Sequence, residues 1–191
     1  MTVSRPSSGQ GRLSILVVCT GNICRSPVAE RLLRASLGSS VRIASAGTYA
    51  MVGSPIEQRM AALLRGAGAD AEAFAARQLT EDHVRSADLV LGMTRELRAV
   101  AVSLWPASVR HSFTFTEWSR LLAEVDPGQL PVGDAATRLA AAIPLAAGQR
   151  HRLEQSPELD DILDPYRGSA ADSGVAFSAI AEAAAVIASR I

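Results

Sequence analysis

The chain of 191 residues contains no lysine, so all 19 of its basic residues are arginine. A Walker-type nucleotide loop needs a Gly-Lys-Ser/Thr sequence, and Schiff-base catalysis needs a lysine amine, so both sites are excluded. The 19 acidic residues balance the arginines to a formal net charge of zero. The composition therefore indicates no basic surface for nucleic acid or for an anionic membrane.

Cysteine is also scarce, with only Cys19 and Cys24 in the chain. Two cysteines in one short stretch cannot form a disulfide framework, which is consistent with a reducing compartment. The histidines are scattered (His83, His111 and His151) and lack the spacing of zinc ligands. We therefore expect no metal, no other cofactor and a cytoplasmic location.

Long apolar runs are missing as well, and none approaches the ~20 residues that span a bilayer, so no membrane span is expected. The first twelve residues are polar and rich in serine and glycine, without the apolar core of a signal peptide. We predict a disordered lead-in at 1–12 and one domain over 13–191, long enough for an ample hydrophobic core.

The most informative stretch is residues 19–27, which read Cys-Thr-Gly-Asn-Ile-Cys-Arg-Ser-Pro. The apolar residues 13–18 before it predict a buried strand. Ser26 suits the N-cap of a helix and Pro27 its first position. The segment is therefore predicted to fold as a strand, a tight loop and a helix.

A loop of this kind points successive backbone N–H groups inward, and the helix start adds partial positive charge, which together make a phosphate site. Gly21 allows a close backbone approach or a positive φ. Arg25 adds a planar, two-pronged donor that matches phosphate oxygens. Cys19 begins the loop and should lie under the anion, where these groups favour its thiolate.

The rest of the chain alternates predicted strands and helices, which indicates an α/β fold with a parallel sheet between two helical layers. The predicted strands are 41–46, 88–93 and 109–115, and the predicted helices are 56–64, 80–85, 95–104 and 173–191. The core stripe of the last helix is predicted to comprise Val175, Ile180, Ala183, Ala184 and Ile187. Residues 117–159 predict an extended excursion, either a surface segment with one or two helices or a lid near the site.

Residues 18–30 resemble the signature of the low-molecular-weight protein-tyrosine phosphatases, in their bacterial form. Further matching blocks follow in family order at 45–48, 76–80, 87–93 and 164–166. The resemblance covers residue 13 to about 115 and resumes near 159. It implies a single three-layer α/β domain with a four-stranded parallel sheet, whose active loop follows the first strand.

The resemblance also implies the catalytic groups, which are Cys19 as nucleophile, Arg25 as phosphate clamp and Asp164 as general acid. A phosphate ester releases an alkoxide or phenolate, and a nearby carboxylic acid that neutralises it contributes ~10²–10⁴ in rate. Pro165 restricts Asp164 to extended conformations. The neighbouring Asp160 and Asp161 lack the Pro-Tyr that follows Asp164.

Supporting residues are implied in the same way. The phosphate-binding loop comprises Thr20, Gly21, Asn22, Ile23, Cys24 and Ser26. By the resemblance, Ser26 donates toward the Cys19 sulfur, Asn22 holds the loop together with Ser45, and Cys24 forms a reversible disulfide with Cys19. Tyr166 and, in a variable loop, Tyr49 form the walls of the substrate pocket. Arg77 is expected in a structural salt bridge.

The implied function is hydrolysis of phosphotyrosine in proteins through a cysteinyl-phosphate, by a monomer or weak dimer. The Asp-Pro-Tyr-Arg sequence at 164–167 resembles bacterial members that oppose tyrosine kinases in exopolysaccharide production. A protein-arginine phosphatase is the main alternative, although such enzymes tend to carry threonine where this chain has Ile23. A catalytically silent phosphotyrosine-binding module would lack the nucleophile or the acid, and an arsenate reductase would need further cysteines.

Overall fold

The computed structural model describes residues 12–150 and 159–191. The predicted lead-in, apart from Arg12, lies outside the described residues, as do residues 151–158 of the predicted excursion, which include His151. The described residues contain a four-stranded sheet whose paired strands are all parallel. The strands are β1 (Ser14–Cys19), β2 (Arg42–Gly47), β3 (Leu89–Gly92) and β4 (Ser112–Thr114).

The strand order is β2-β1-β3-β4, with β1 in the interior. All six residues of β1 are buried, which explains why its sequence is a continuous apolar run rather than an alternating one. The chain leaves β1 for its neighbour β2 and then crosses to its other neighbour, β3. Ligands bind at such a switch point, outside the carboxyl ends of the strands, and the loop after Cys19 lies there.

Seven α-helices of the described chain surround the sheet, as the predicted three-layer α/β fold requires. They are α1 (Arg25–Leu37), α2 (Gln58–Gly66), α3 (Glu81–Arg85), α4 (Arg95–Leu104), α5 (Phe115–Ala123), α6 (Ala135–Gln149) and α7 (Ala170–Arg190). Short 3-10 turns cover Gly38–Ser40, Pro106–His111 and Pro127–Gln129. Helices α1, α2 and α5 pack against α7, whereas α3 packs against α4, which covers β1, β3 and β4.

Helix α1 begins differently from the prediction. It starts at Arg25, its N-cap residue is Cys24, and no side chain caps it. The prediction that Ser26 is the N-cap and Pro27 the first helical residue was therefore wrong. The hydroxyl of Ser26 contacts the Cys19 sulfur instead, as described below. The first helical turn thus belongs to the loop's hydrogen-bond network.

Two other local predictions were also wrong. Residues 109–111 form part of a 3-10 turn, so β4 is shorter than the strand predicted for 109–115. Val175 is 59% exposed, and Ala176 takes its place in the buried stripe of α7. Val175 lies one residue away from the helical spacing that Ile180 and Ile187 define.

Among the described residues, α7 is the one helix long and apolar enough to cross a membrane by length and composition. The sequence showed no continuous apolar run of about 20 residues, so a helix of this length and composition was not predicted. In the structure, Ala176, Ile180, Ala183, Ala184 and Ile187 of α7 are buried, and the helix packs against α1 and α5. Its apolar character is therefore used in the core of the domain.

The described part of the predicted excursion contains most of α5 and all of α6. Trp118, Leu121 and Leu122 of α5 are fully buried, so this part of the excursion belongs to the core. Helix α6 packs on α5, and its Leu139, Ala142 and Ala146 are buried. No described residue of 117–150 lines the cavity of the candidate active site, so the lid interpretation gains no support there.

Candidate active site

A cavity of about 130 Å³ opens at the carboxyl end of β1. It is lined by Cys19, Thr20, Gly21, Ile23, Cys24, Arg25, Tyr49, Met51, Asp164 and Tyr166. All of these except Met51 are site residues predicted from the sequence. The other three predicted residues, Asn22, Ser26 and Ser45, lie fully buried behind the loop.

The loop's peptide groups are oriented by hydrogen bonds on its outer side. The carbonyl oxygens of Cys19, Thr20, Gly21 and Ile23 each accept a hydrogen bond, at 2.8–3.0 Å, from a backbone N–H in the segment 48–57. Because these carbonyls point outward, the loop's N–H groups are left to face the cavity. A concave set of N–H groups next to a helix N-terminus is an anion-binding arrangement.

Asn22 provides the left-handed backbone conformation that the loop needs, with φ of 54°. Gly21 has no positive φ, and a Cβ there would make only an ordinary 3.5 Å contact with the Ile23 side chain. Of the two roles predicted for Gly21, a close backbone approach or a positive φ, the positive φ is found at Asn22 instead. Asparagine tolerates the left-handed region better than most residues, and its side chain is needed at this position.

The Cys19 sulfur receives two hydrogen-bond donors. It is 2% exposed, and the backbone N–H of Asn22 donates to it at 3.2 Å. Ser26 Oγ lies 2.9 Å away. Donors directed at sulfur stabilise its anion more than its neutral thiol.

The amide of Asn22 determines the direction of these hydrogen bonds. Its Oδ1 accepts from the backbone N–H of Arg77 at 2.8 Å, so its Nδ2 is the donor on the other side. Nδ2 donates to Ser26 Oγ and to Ser45 Oγ, both at 2.9 Å. Because Ser26 accepts from Asn22, its own proton is available for the Cys19 sulfur.

A buried carboxylate, Glu30, closes this network. It is 2% exposed and accepts a hydrogen bond from Ser45 Oγ at 2.6 Å. Arg34 Nη2 lies 2.9 Å from its other oxygen, and Arg77 Nη2 lies 4.0 Å from the oxygen that Ser45 contacts. The expected salt bridge of Arg77 is thus a long one, and its Nε donates instead to the Ser45 carbonyl at 2.6 Å. Glu30 lies inside the signature stretch, but nothing in the sequence predicted a role for it.

Gly47 was also missed as a site residue. A Cβ on it would lie 2.4 Å from the carbonyl oxygen of Thr20, a distance that no side chain tolerates. Its N–H donates to the Arg77 carbonyl and its carbonyl accepts from Leu79, so it cannot move away easily. A glycine at the end of a strand beside the loop was the available signal.

Arg25 connects the loop to a segment far along the chain, residues 162–168, which we call the acid segment because it contains the predicted acid Asp164. Its side chain is 4% exposed, and Nη1 donates to the carbonyl of Ile162 at 3.0 Å. Nη2 donates to Asp164 Oδ2 at 2.6 Å and lies 3.4 Å from Thr20 Oγ1. The guanidinium is thereby held in one orientation at the cavity.

The acid segment turns sharply beyond Asp164. The N–H of Gly168 donates to the Pro165 carbonyl at 3.0 Å, and Arg167 has φ of 61° within that turn. The Arg167 guanidinium lies 5.3 Å from the centre of the Tyr166 ring. Asp164 and Tyr166 are each about half exposed, with 46% for the Asp164 side chain and 42% for Tyr166. Both can therefore reach a ligand at the cavity mouth.

Cys24 differs chemically from Cys19 although both are buried. Burial, followed by the negative charges of Glu57, Cys19 and Asp164, raises the pKa of Cys24 to about 12. It is therefore a neutral thiol at physiological pH and is unsuited to be the nucleophile. Among all the described residues, no group of three or more histidine, cysteine or acidic side chains is placed to hold a metal ion.

Comparison with known proteins assigns this arrangement to a family. The profile described as "Low molecular weight phosphotyrosine protein phosphatase" matches residues 14–127. The Etp phosphatase of Escherichia coli K12 is 40% identical over 114 residues, which are 60% of this chain and 76% of Etp. The chain belongs to the low molecular weight phosphotyrosine protein phosphatases, a family of hydrolases.

Solved structures agree with the fold. Vibrio vulnificus Wzb in complex with benzylphosphonate matches with a TM-score of 0.68 and 27% identity, over 95% of this chain and 100% of Wzb. The YwlE arginine phosphatase of Geobacillus stearothermophilus matches with a TM-score of 0.67 and 26% identity, over 93% of this chain and 91% of YwlE. The tyrosine phosphatase AmsI of Erwinia amylovora also matches, with a TM-score of 0.67 and 28% identity over 94% of this chain and 93% of AmsI. The same fold is therefore present in an arginine phosphatase and in a tyrosine phosphatase.

Proposed function

We propose that the chain hydrolyses phosphotyrosine in proteins through a phosphate ester of the Cys19 sulfur. The surroundings of that sulfur carry the proposal. It lies at the cavity with two donors directed at it, from Asn22 and Ser26, while Arg25 and Asp164 line the same cavity. One bound substrate can therefore contact a nucleophile, a clamp for the phosphate and a proton donor.

In the first step, the Cys19 thiolate attacks phosphorus, an S–P bond forms and the ester P–O bond breaks. The departing phenolate takes the proton of Asp164. The loop N–H groups and the Arg25 guanidinium hold the equatorial phosphate oxygens, which bear charge in the transition state. The thiolate loses its charge in this step, so the donors from Asn22 and Ser26 also make it a competent leaving group later.

In the second step, water attacks the phosphorus of the thiophosphate ester. Asp164, now ionised, accepts a proton from that water as the S–P bond breaks. Inorganic phosphate leaves, and the Cys19 thiolate is restored. One carboxyl group therefore serves as acid and then as base, without a cofactor.

The cavity walls support an aromatic substrate. Tyr49 and Tyr166 both line the cavity, and their exposed rings can contact a flat phenyl group. The fold neighbour from Vibrio vulnificus was solved with benzylphosphonate, an aryl-containing phosphonate.

The protein substrate is proposed to be the target of a bacterial tyrosine kinase in exopolysaccharide production. The enzyme is proposed to be cytoplasmic.

Phosphoarginine is the second candidate substrate, because the YwlE arginine phosphatase has the same fold. Ile23 is the residue that favours phosphotyrosine here. It lines the cavity and is 6% exposed, so an apolar branched side chain stands at the position where arginine phosphatases tend to carry threonine. An apolar wall suits a phenyl ring better than a charged guanidinium group, which would be left short of hydrogen-bond partners.

Hydrolysis of an aryl phosphate in the presence of a chelator tests the mechanism, with wild type, Cys19→Ser and Asp164→Ala compared. We expect wild-type activity to survive chelation, Cys19→Ser to be inactive and Asp164→Ala to lose ~10²-fold or more. Full activity of Cys19→Ser, or loss of wild-type activity with the chelator, would contradict the mechanism. Parallel assays with phosphotyrosine and phosphoarginine peptides, in wild type and Ile23→Thr, decide the substrate class.

A further inference from the structure

The three residues just before the Leu163–Asp164 pair all form hydrogen bonds with distant parts of the chain. We call Asp160, Asp161 and Ile162 the acid anchor. Neither aspartate of this group precedes a Pro-Tyr pair as Asp164 does, so the sequence predicted no function for them. The structure shows that each residue of the acid anchor binds a different element around the carboxyl edge of the sheet.

Asp161 binds the start of α4. Its Oδ1 accepts from the backbone N–H of Arg95, the first residue of that helix, at 2.7 Å. Arg95 Nε lies 3.6 Å from the same oxygen. The first N–H groups of a helix have no partner within the helix, and a carboxylate there also interacts favourably with the helix dipole. Asp161 is therefore attached to a rigid element.

Asp160 binds α5 through both its backbone and its side chain. Thr116 Oγ1 donates to the Asp160 carbonyl at 2.9 Å, and Arg120 forms an ion pair with the Asp160 carboxylate. The Asp160 side chain is only 13% exposed. An ion pair in this setting is screened less than a surface pair and restricts both partners.

Ile162 completes the attachment at the cavity itself. Its N–H donates to the Met93 carbonyl at 2.9 Å, just beyond β3, and its carbonyl accepts from Arg25 Nη1. Its side chain is 3% exposed and packs in the core. The backbone is thus held on both sides at a point two residues before Asp164.

We propose that Asp160 and Asp161 are positioning residues, which hold Asp164 where its proton can reach the leaving oxygen. The proposal rests on the proposed function, in which Asp164 is the general acid. Asp164 is about half exposed, and its only described side-chain partners are Arg25 and the N–H of Tyr166, so its own contacts do not fix its backbone. The contacts of the acid anchor supply that fixation, and a displacement of about 1 Å can cost ~10²-fold in rate.

Two substrates that differ only in leaving group separate this role from general destabilisation. Phenyl phosphate releases a phenolate whose conjugate acid has a pKa of about 10, as for tyrosine, and so depends on the acid. 2,4-Dinitrophenyl phosphate releases a far weaker base that leaves without a proton. Both substrates use the same thiolate and the same loop, so a defect there lowers both rates together.

The variants are Asp161→Ala, Asp160→Ala and Asp161→Asn, with Asp164→Asn as the reference for a lost acid. We expect the two alanine variants to lose ~10-fold or more in kcat for phenyl phosphate and less than ~2-fold for 2,4-dinitrophenyl phosphate. Asp161→Asn keeps an oxygen acceptor for the Arg95 N–H and should recover most of the phenyl phosphate rate. Thr116→Val removes the hydroxyl donor to Asp160, together with its 3.3 Å contact to Thr114 Oγ1, and gives a mild second variant if an alanine variant does not fold.

Asp134→Ala is the matched control, because Asp134 accepts from the backbone N–H of Thr137 at the start of α6, away from the cavity. It should leave both rates unchanged. Equal losses on both substrates, or no loss on phenyl phosphate, in the acid-anchor variants would overturn the proposal alone. If Asp164→Asn itself shows no selective loss on phenyl phosphate, the acid assignment fails and the positioning role fails with it.

Discussion

Arg25 and Asp164 are 139 residues apart in the chain, and the guanidinium Nη2 donates to the carboxylate Oδ2 at 2.6 Å. The same guanidinium holds the Ile162 carbonyl through Nη1. The proposed phosphate clamp and the proposed proton donor are therefore part of one hydrogen-bonded unit. Changes at Arg25 should affect binding of the phosphate and placement of the acid together.

Replacing Arg25 with lysine keeps the positive charge but removes the planar fork. Hydrogen bonds that involve a charged group contribute about 1.5–3 kcal/mol each, so loss of one bond predicts a fall of roughly 10- to 10²-fold in kcat/KM, and loss of two a fall of roughly 10²-fold or more. Steady-state kinetics with an aryl phosphate measures this. Arg85→Lys, in an exposed ion pair with Asp82, is the control and should change little. Equal activity of the Arg25→Lys variant and wild type would show that the fork is dispensable.

Replacing Gly47 with alanine should distort the loop, since the new Cβ would approach the Thr20 carbonyl to 2.4 Å. We expect a loss of ~1–3 kcal/mol in the free energy of unfolding, as for other overpacked sites, and a lower kcat. Urea unfolding and kinetics check the two effects. Gly174→Ala in α7 meets nothing within 4 Å and should stabilise the helix slightly. Unchanged stability and kcat in Gly47→Ala would mean that the loop yields without cost.

Replacing Cys24 with serine should leave kcat/KM close to wild type, because a thiol with a pKa of about 12 takes no part as a thiolate at neutral pH. Cys24 is expected to matter after peroxide oxidises Cys19 to a sulfenic acid. The Cys24 thiolate then attacks that sulfur, an S–S bond forms, the S–O bond breaks, and hydroxide leaves and takes a proton from solvent. Treatment with peroxide followed by dithiothreitol should restore wild type but not Cys24→Ser.

The same pKa predicts how this protection depends on pH. Only the thiolate of Cys24 attacks, and its fraction keeps rising with pH up to about 12. The rate of disulfide formation, followed by mass spectrometry after a peroxide pulse, should therefore increase steadily between about pH 7 and about pH 9. A rate that is flat over this range, or equal reactivation of both proteins, would contradict the role of Cys24.

His83 should make stability depend on pH. Burial, and next the charge of Arg77, lowers the pKa of His83 from 6.5. Its Nδ1 also accepts from the Thr80 N–H at 3.3 Å, which requires the neutral ring. The unfolded chain takes up a proton near pH 6.5 while the folded chain does not, so stability falls as the pH drops from there to the lower folded pKa.

His83→Gln tests this, because glutamine is a usual residue at this position of a capping box and does not titrate. The unfolding free energies of wild type and variant are measured with urea at about pH 7.5 and about pH 5. From the higher to the lower pH, wild type should lose more stability than the variant. The remaining histidines are present in both proteins, so their contributions cancel. A difference that does not change with pH would be inconsistent with the lowered pKa.

The loop could be recognised from the sequence because all of its parts are contiguous. A buried strand, residues 19–25 and the helix that follows together define a phosphate site through local geometry alone. The buried run in β1 and the alternation of elements similarly indicated a parallel sheet, which the structure contains. The acid role proposed for Asp164 came only from the family resemblance, since Asp-Pro-Tyr by itself predicts an ordinary turn.

Contacts between distant residues were not available from the sequence. Glu30 looked like any polar residue of α1, yet it is buried because Ser45, Arg34 and Arg77 meet it there. Gly47 is required only because the Thr20 carbonyl passes beside it. The use of Ser26 at the sulfur rather than at the helix N-cap depends on where Asn22 turns the loop.

The sequence by itself determined the proposed anion site, because a cysteine and an arginine spaced around a tight loop need only local backbone geometry to face one anion. Tertiary contacts decided the direction of the hydrogen bonds that lead to the Cys19 sulfur. The buried Glu30 sets the donor order that leads through Ser45 and Asn22 to Ser26, since each buried polar group must find a partner. The contacts of Asp161 with α4 and of Asp160 with α5 likewise hold the segment that carries Asp164.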